Sequence, residues 1–168
     1  MVFVDGTNLF RRLESSQLRL VQSLPVMARD FIAGRQLHRV CLYTIQEELD
    51  RATPIHGNAI TDGVRLRLGT GVPLPDGNVR EKGVDALLVS DLIYHAAMKN
   101  FDYALLVSAD TDFSEAIRRV EDFGCKTGVV GVCCQLPASL RAACDEPFEL
   151  TKEQMLTGHP QLAVEVQR

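Results

Sequence analysis

The sequence contains no tryptophan, and aromatic residues of all kinds make up only 6% of it. Interleaved aromatics that would stack successive bases are therefore sparse. Positive charge is also scarce: 18 Lys and Arg stand against 22 Asp and Glu, a formal net charge of −4. That balance argues against a protein that grips nucleic acid through bulk positive charge, although a local basic rim around an acidic centre stays compatible with it. No apolar stretch approaches the roughly 20 residues needed to cross a bilayer. The opening "MVFVDGTNLF" has neither a charged leader nor an apolar signal core. The five cysteines (Cys41, Cys125, Cys133, Cys134, Cys144) are odd in number and form no Cys-x-x-Cys pair. They read as small core residues or free thiols of a reducing, cytoplasmic compartment, and their spacing argues against zinc. The four histidines are scattered, and no Ser/His/Asp or Cys/His set is apparent.

What is present is the material of one soluble domain. The chain has 168 residues, 46% apolar and 24% charged, enough to bury a sizeable core without a disulfide or metal. Continuous apolar runs at 2–4, 39–45, 103–110 and 126–132 predict buried strands. Apolar residues at three- to four-residue spacing predict helices over 9–34, broken before Pro25, and over 81–100, 111–124 and 136–144. "DGVRLRLGTG" alternates as a half-exposed strand, "GTGVPLPDGN" (69–78) reads as loop, and 147–150 as a short edge strand. Residues 46–80 are the least legible, and 151–168 are expected as a C-terminal tail beyond a domain of 1–150. The alternation of strand and helix calls for a three-layer α/β/α sandwich around a mainly parallel sheet.

Aspartates punctuate this pattern. Asp5 ends the first strand, and Asp110 ends "YALLVSAD", with Asp112 two residues on; Asp85 lies in the first turn of the helix over 81–100. In open α/β sheets, ligands sit beyond the C-terminal strand ends where the winding reverses. Neighbouring strands there would bring Asp5 and Asp110 to one crevice, with Asp85 and Asp112 beside it. Two like charges about 4 Å apart repel by roughly 1 kcal/mol in water and several times that near a protein surface. A hard divalent ion, Mg²⁺ or Mn²⁺, would relieve that repulsion. Capping of helix N-termini is the competing role for these side chains, above all for Asp85 and Asp112 taken singly.

Four blocks in order, "VFVDGTNLF", "EKGVDALLVSDLIYHA", "FDYALLVSADTDFSEAIRRVEDFGCKTGVVG" and "LRAACDEPFEL", resemble the NYN domain, a branch of the PIN-like metal-dependent ribonucleases. The resemblance spans roughly residues 2–150. It implies a PIN-like sandwich and hydrolysis of RNA phosphodiester bonds by metal-activated water at an Asp cluster. It also implies Asp5 and Asp110 as the central metal carboxylates, completed by Asp85 and Asp112. Asn8 would orient Asp5 or a water, and Ser108 would support the loop. The partners implied are an RNA substrate and no membrane, with a homodimer or a regulatory protein partner in keeping with the family. Two departures stand out. Ala109 replaces a frequent glycine, which matters only if that position has positive φ. Asp145 is separated from Phe148 by Glu146 and Pro147, unlike the family's late acidic position.

Around this core set, Arg11, Arg12, Arg65, Arg67 and Arg80 are candidates for a phosphate-contacting rim. Lys82 reads as a solvated or ion-paired side chain, and His95 as the polar border of its helix. The alternative reading of the whole chain is a non-catalytic PIN-like module that binds RNA or protein. A metal-dependent adhesion module is disfavoured because Thr7 and Leu9 follow Asp5 where serines are required. An aspartyl-nucleophile phosphohydrolase is disfavoured because Thr7 stands where a second Asp would.

Overall fold

In the computed structural model, which describes residues 1–158 and 161–166, six strands form one parallel sheet. They are β1 (Val2–Asp5), β3 (Val40–Thr44), β4 (Val64–Leu68), β7 (Tyr103–Val107), β8 (Lys126–Val132) and β9 (Glu146–Leu150). Their spatial order is β4-β3-β1-β7-β8-β9. Every pairing between neighbours is parallel. The chain first winds outward from β1 through β3 to β4, then crosses back to β7 and continues the other way. The winding therefore reverses between β1 and β7.

The two faces of the sheet carry separate cores, because side chains alternate along each strand. Val2, Val4, Leu42, Leu105 and Val130 pack on one side, against α1 (Gly6–Ser15), α2 (Leu24–Arg29) and α3 (Gln46–His56). Phe3, Cys41, Tyr43, Leu106 and Val129 pack on the other, against α4 (Val84–Ala97), α5 (Ser114–Asp122) and α6 (Ala138–Arg141). This is the expected α/β/α sandwich. All five cysteines are free thiols. Among the described residues no helix is long and apolar enough to cross a membrane.

Several elements differ from expectation. The helix expected over 9–34 is divided. Gln17 takes positive φ after α1, a short strand β2 (Leu18–Leu20) follows, and Pro25 sits in the first turn of α2, where its missing N–H is harmless. Residues 46–56 form α3 despite Pro54. The stretch read as loop holds a hairpin, β5 (Thr70–Pro73) against β6 (Val79–Lys82). The helix expected from residue 81 begins only at Val84, because β6 runs to Lys82 and Gly83 turns the chain with φ +83°. After Leu150 the chain continues into α7 (Lys152–Thr157), closed by a Thr151–Gln154 capping box. β10 (Ala163–Glu165) then pairs antiparallel with β2. Met155, Leu162 and Ala163 join the core on the α1 side. Positions 159–160 and 167–168 of the expected tail lie outside the described residues.

One glycine fixes the turn out of β1. A Cβ on Gly6 would sit 2.8 Å from the Tyr43 backbone oxygen and 3.0 Å from Thr44 Cβ, inside normal contact. Gly6→Ala is therefore expected to push β3 and α1 apart and lower stability by about 1–3 kcal/mol. Urea denaturation of the variant would show this as a lower midpoint, and an unchanged midpoint would contradict it.

Candidate active site at the β1–β7 switch

The C-terminal ends of β1 and β7 lie side by side, with Val4 opposite Val107. A crevice of about 400 Å³ opens there, lined by Asp5, Thr7, Asn8, Asp85 and Asp110, with Glu81 and α1's Arg11, Arg12 and Ser15 completing the wall. Four of the residues expected from sequence therefore share one hollow. Asp112 is the exception: its side chain is exposed and is not part of the lining.

Asp5 is only 5% exposed. Its Oδ1 accepts the Asn8 backbone N–H at 3.0 Å, and its Oδ2 accepts the Ser108 hydroxyl at 2.8 Å. Asp5 is therefore the N-cap of α1. Burial pushes its carboxyl up to about 6, the charges of Asp85 and Glu81 add to the rise, and the two hydrogen bonds oppose it. No lysine or arginine pairs with it among the described residues.

Asp110 plays the matching part after β7. Its Oδ1 accepts the Asp112 N–H at 3.0 Å, capping the 3-10 turn Thr111–Phe113 that leads into α5. Its own N–H donates to Ser108 Oγ at 3.1 Å. Ser108 thus joins the two aspartates: its hydroxyl donates to Asp5 and its oxygen accepts from Asp110. Asn8 Oδ1 accepts the Ala109 N–H at 3.3 Å, tying α1 to the same loop. Ala109 does not have positive φ, so alanine in place of the frequent glycine is unstrained.

Asp85, at the start of α4, has its carboxyl raised, first by burial and then by the negative charges of Asp110 and Asp112. Glu81 was missed from sequence. It accepts a hydrogen bond from the Thr7 hydroxyl and faces the crevice from β6. The signal was the alternation of "VREK", where Val79 and Glu81 turn inward and Arg80 and Lys82 outward.

Of the arginines considered for the rim, Arg11 and Arg12 line the crevice, one helical turn beyond Asn8 on the same face. Arg67 is engaged elsewhere, gripping Asp91 through Nε at 2.8 Å and a terminal nitrogen at 3.0 Å. Arg65 and Arg80 are not among the lining residues, and Lys82 borders a separate shallow hollow beside Gly69 and Gly83. His95 meets Asn100 at 2.8 Å. Asp145 binds Lys126 at 2.6 Å and the Thr127 N–H at 2.9 Å, at the N-terminal edge of β8, the end of the sheet away from the crevice. Its task is to fasten β9.

The donors facing the crevice are oxygens, the hard ligands that Mg²⁺ and Mn²⁺ take. Among the described residues no three His, Cys, Asp or Glu side chains are gathered into a ready cage. Carboxylates that line one hollow are the kind of group that can hold Mg²⁺ beside its own waters and a substrate phosphate. The Cys-poor, His-poor lining does not fit zinc.

The NYN domain family matches residues 1–151 of the chain. An uncharacterized protein of Sinorhizobium fredii is 31% identical over 71 residues, which span 42% of this chain and 31% of that protein. A crystal structure of a Vibrio parahaemolyticus protein of unknown function superposes with a TM-score of 0.66 at 18% identity, over 97% of this chain and 94% of that one. At that identity the likeness extends to the fold. The parallel sandwich, the acidic crevice at its switch point and the match over residues 1–151 place the chain in the NYN domain family of the PIN-like nuclease superfamily.

Proposed function

We propose that the protein is a metal-dependent ribonuclease that hydrolyses RNA phosphodiester bonds in the crevice between β1 and β7. One observation carries this reading. Asp5, ending β1, and Asp110, three residues beyond β7, are remote in sequence yet line one open hollow, and Asp5 is buried there without a cationic side-chain partner among the described residues.

Asp5 and Asp110 would hold Mg²⁺ or Mn²⁺, with Asp85 and Glu81 lining the same crevice. The ion, when bound, supplies Lewis acidity toward water and toward phosphoryl oxygens. The chain's own groups do the rest. The Ser108 hydroxyl and the Asn8 N–H fix the Asp5 carboxylate in one orientation. Asn8 holds the Ala109 loop, so that Asp110 keeps its distance from Asp5. Asp112 acts through its backbone, by holding Asp110. Arg11 and Arg12 offer guanidinium donors to phosphate oxygens on either side of the scissile bond. Water attacks in line: its oxygen bonds to phosphorus as the P–O bond to the leaving oxygen breaks, and the proton shed by the water is matched by one taken up by the leaving oxygen from solvent.

The test begins with metal-free protein. Mn²⁺ at about a hundred times its dissociation constant is expected to raise the thermal midpoint by roughly 5 °C or more, and to support cleavage of an unstructured RNA. Cleavage that persists unchanged in EDTA, or is absent with both Mn²⁺ and Mg²⁺, would contradict the reading. The absence of a ready three-carboxylate cage among the described residues favours one rival, a non-catalytic module that binds RNA or protein. RNA binding without turnover in either metal would establish that rival.

A further inference from the structure

A second concavity, of about 550 Å³, opens next to the acidic crevice, within the ~300–1,000 Å³ of small-molecule sites. Phe10, Leu18, Ala52, Ile55 and Val79 give it apolar walls. Arg11 lines both hollows. The strand β6 also joins them, turning Val79 to the groove and Glu81 to the crevice.

His56 brings a polar donor to these apolar walls. It is 7% exposed and lines the groove. Its Nδ1 accepts the Leu20 N–H at 3.1 Å, so the ring's proton sits on Nε2. Burial and the nearby Arg19 charge lower its pKa to about 4, which keeps the ring neutral at pH 7. Nε2–H has no hydrogen-bond partner among the described residues and is open to the groove's solvent rather than sealed in, since Thr44 Oγ1 is the one enclosed side-chain oxygen or nitrogen without a partner there. The ring lies 6.0 Å from that of Phe10, with an interplanar angle of 20°.

We propose that this groove receives the base of an unpaired nucleotide of RNA, next to the phosphate held in the crevice, with His56 Nε2–H donating to an acceptor on the base edge. The inference rests on the ribonuclease reading of the adjoining site. The occupant follows from the lining. An aliphatic side chain of a protein partner would bury the Nε2–H unpaired, which is unfavourable. Within the groove Glu14 opposes a phosphate and the Arg51 charge is taken up by Glu48 at 3.0 Å, which leaves Arg11, shared with the crevice, as the lining cation open to one. A neutral, flat group with hydrogen-bond acceptors suits the walls and the donor together, and Arg11 stands where its attached phosphate would lie.

The experiment uses the full chain carrying Asp110→Asn, so that RNA is bound without being cut. Fluorescence anisotropy with short single-stranded homopolymers of A, U, C and G, in Mg²⁺, compares this parent with two further variants. His56→Asn keeps an acceptor for the Leu20 N–H and removes the Nε2 donor. Ile55→Asp places a carboxylate on the groove wall at a residue 44% exposed, where folding is not at stake. Both are expected to weaken binding roughly tenfold, and His56→Asn is expected to change the ranking of the four homopolymers. Affinities and ranking within about twofold of the parent in both variants would overturn the proposal. Cleavage by the otherwise native protein, measured separately, keeps the two claims apart. Cleavage that ignores both groove variants sinks the groove alone. Groove-dependent binding without cleavage by the native protein sinks the catalytic reading and upholds the groove, and the absence of both binding and cleavage sinks both.

Discussion

Asp110→Asn is expected to reduce Mn²⁺-dependent RNA cleavage at least ~100-fold, while the thermal midpoint of the metal-free protein stays within about 2 °C of the native one. The separation follows from what each oxygen does. Oδ1 caps the 3-10 turn by accepting the Asp112 N–H, and an asparagine oxygen accepts that bond equally well. The hydrogen bond from the Asp110 N–H to Ser108 belongs to the backbone and is untouched. What changes is the charge facing the crevice: an anionic oxygen becomes an amide donor, which repels a cation. The same change relieves Asp85, whose carboxyl Asp110 helps to raise. Single-turnover cleavage alongside a thermal melt makes the comparison. Equal activity in both proteins would remove Asp110 from the chemistry, and a large loss of stability would reduce its part to that of a cap.

Asp5→Asn is expected to do the opposite to stability. The folded carboxyl titrates at about 6, against ~3.9 in an unfolded chain. Between those values the folded state binds more protons than the unfolded state, so this group's contribution falls as pH rises through the window and levels off above it. The ionised form costs about 2–3 kcal/mol at pH 7. Asparagine cannot ionise, and its carbonyl still accepts the Asn8 N–H. In metal-free buffer the variant is expected to exceed the native protein in stability by up to that amount at pH 7, with the difference vanishing near pH 4. It is also expected to lose metal-dependent cleavage and the thermal shift with Mn²⁺. Urea denaturation from pH 4 to 8 measures the difference. A variant less stable than the native protein at pH 7 would mean that Asp5 serves mainly to hold α1.

The parts of the fold legible in the sequence are those where one physical signal dominates. β1, β3, β7 and β8 are buried on both faces and so read as unbroken apolar runs. α5 shows its inward stripe because Ala116, Ile117 and Val120 are apolar and its outer face is charged. Where signals cancel, the reading stops. α3 buries Leu49, Ala52 and His56, so one of its three inward residues is a histidine, and Pro54 argues against the helix it occupies. The hairpin β5–β6 hides in Gly and Pro, although Asp76, Gly77 (φ +82°) and the Asn78 N–H form a recognisable turn. α7 carries a capping box at Thr151–Gln154 with too few apolar residues behind it to be noticed. In the site, Asn8 came from the resemblance to the NYN domain, while Asp5, Asp85 and Asp110 were legible because strand ends and helix starts locate them. Glu81 was not, since its place depends on a hairpin folding over the crevice. Nor did the sequence distinguish Arg11 and Arg12 from Arg65, Arg67 and Arg80, because partners such as Asp91 come from distant elements.

β1 is flanked by β3 and β7, and it precedes both in the chain. During synthesis the first carboxylate of the crevice emerges long before the strand that carries the second. Until Tyr103–Val107 has left the ribosome, β1 has a neighbour on one side only, and Ser108 is not there to steady Asp5. Closing so long a loop is also slow in a free chain. The crevice therefore cannot take shape until β7 and the Ser108 loop have emerged, however early β1 finds β3.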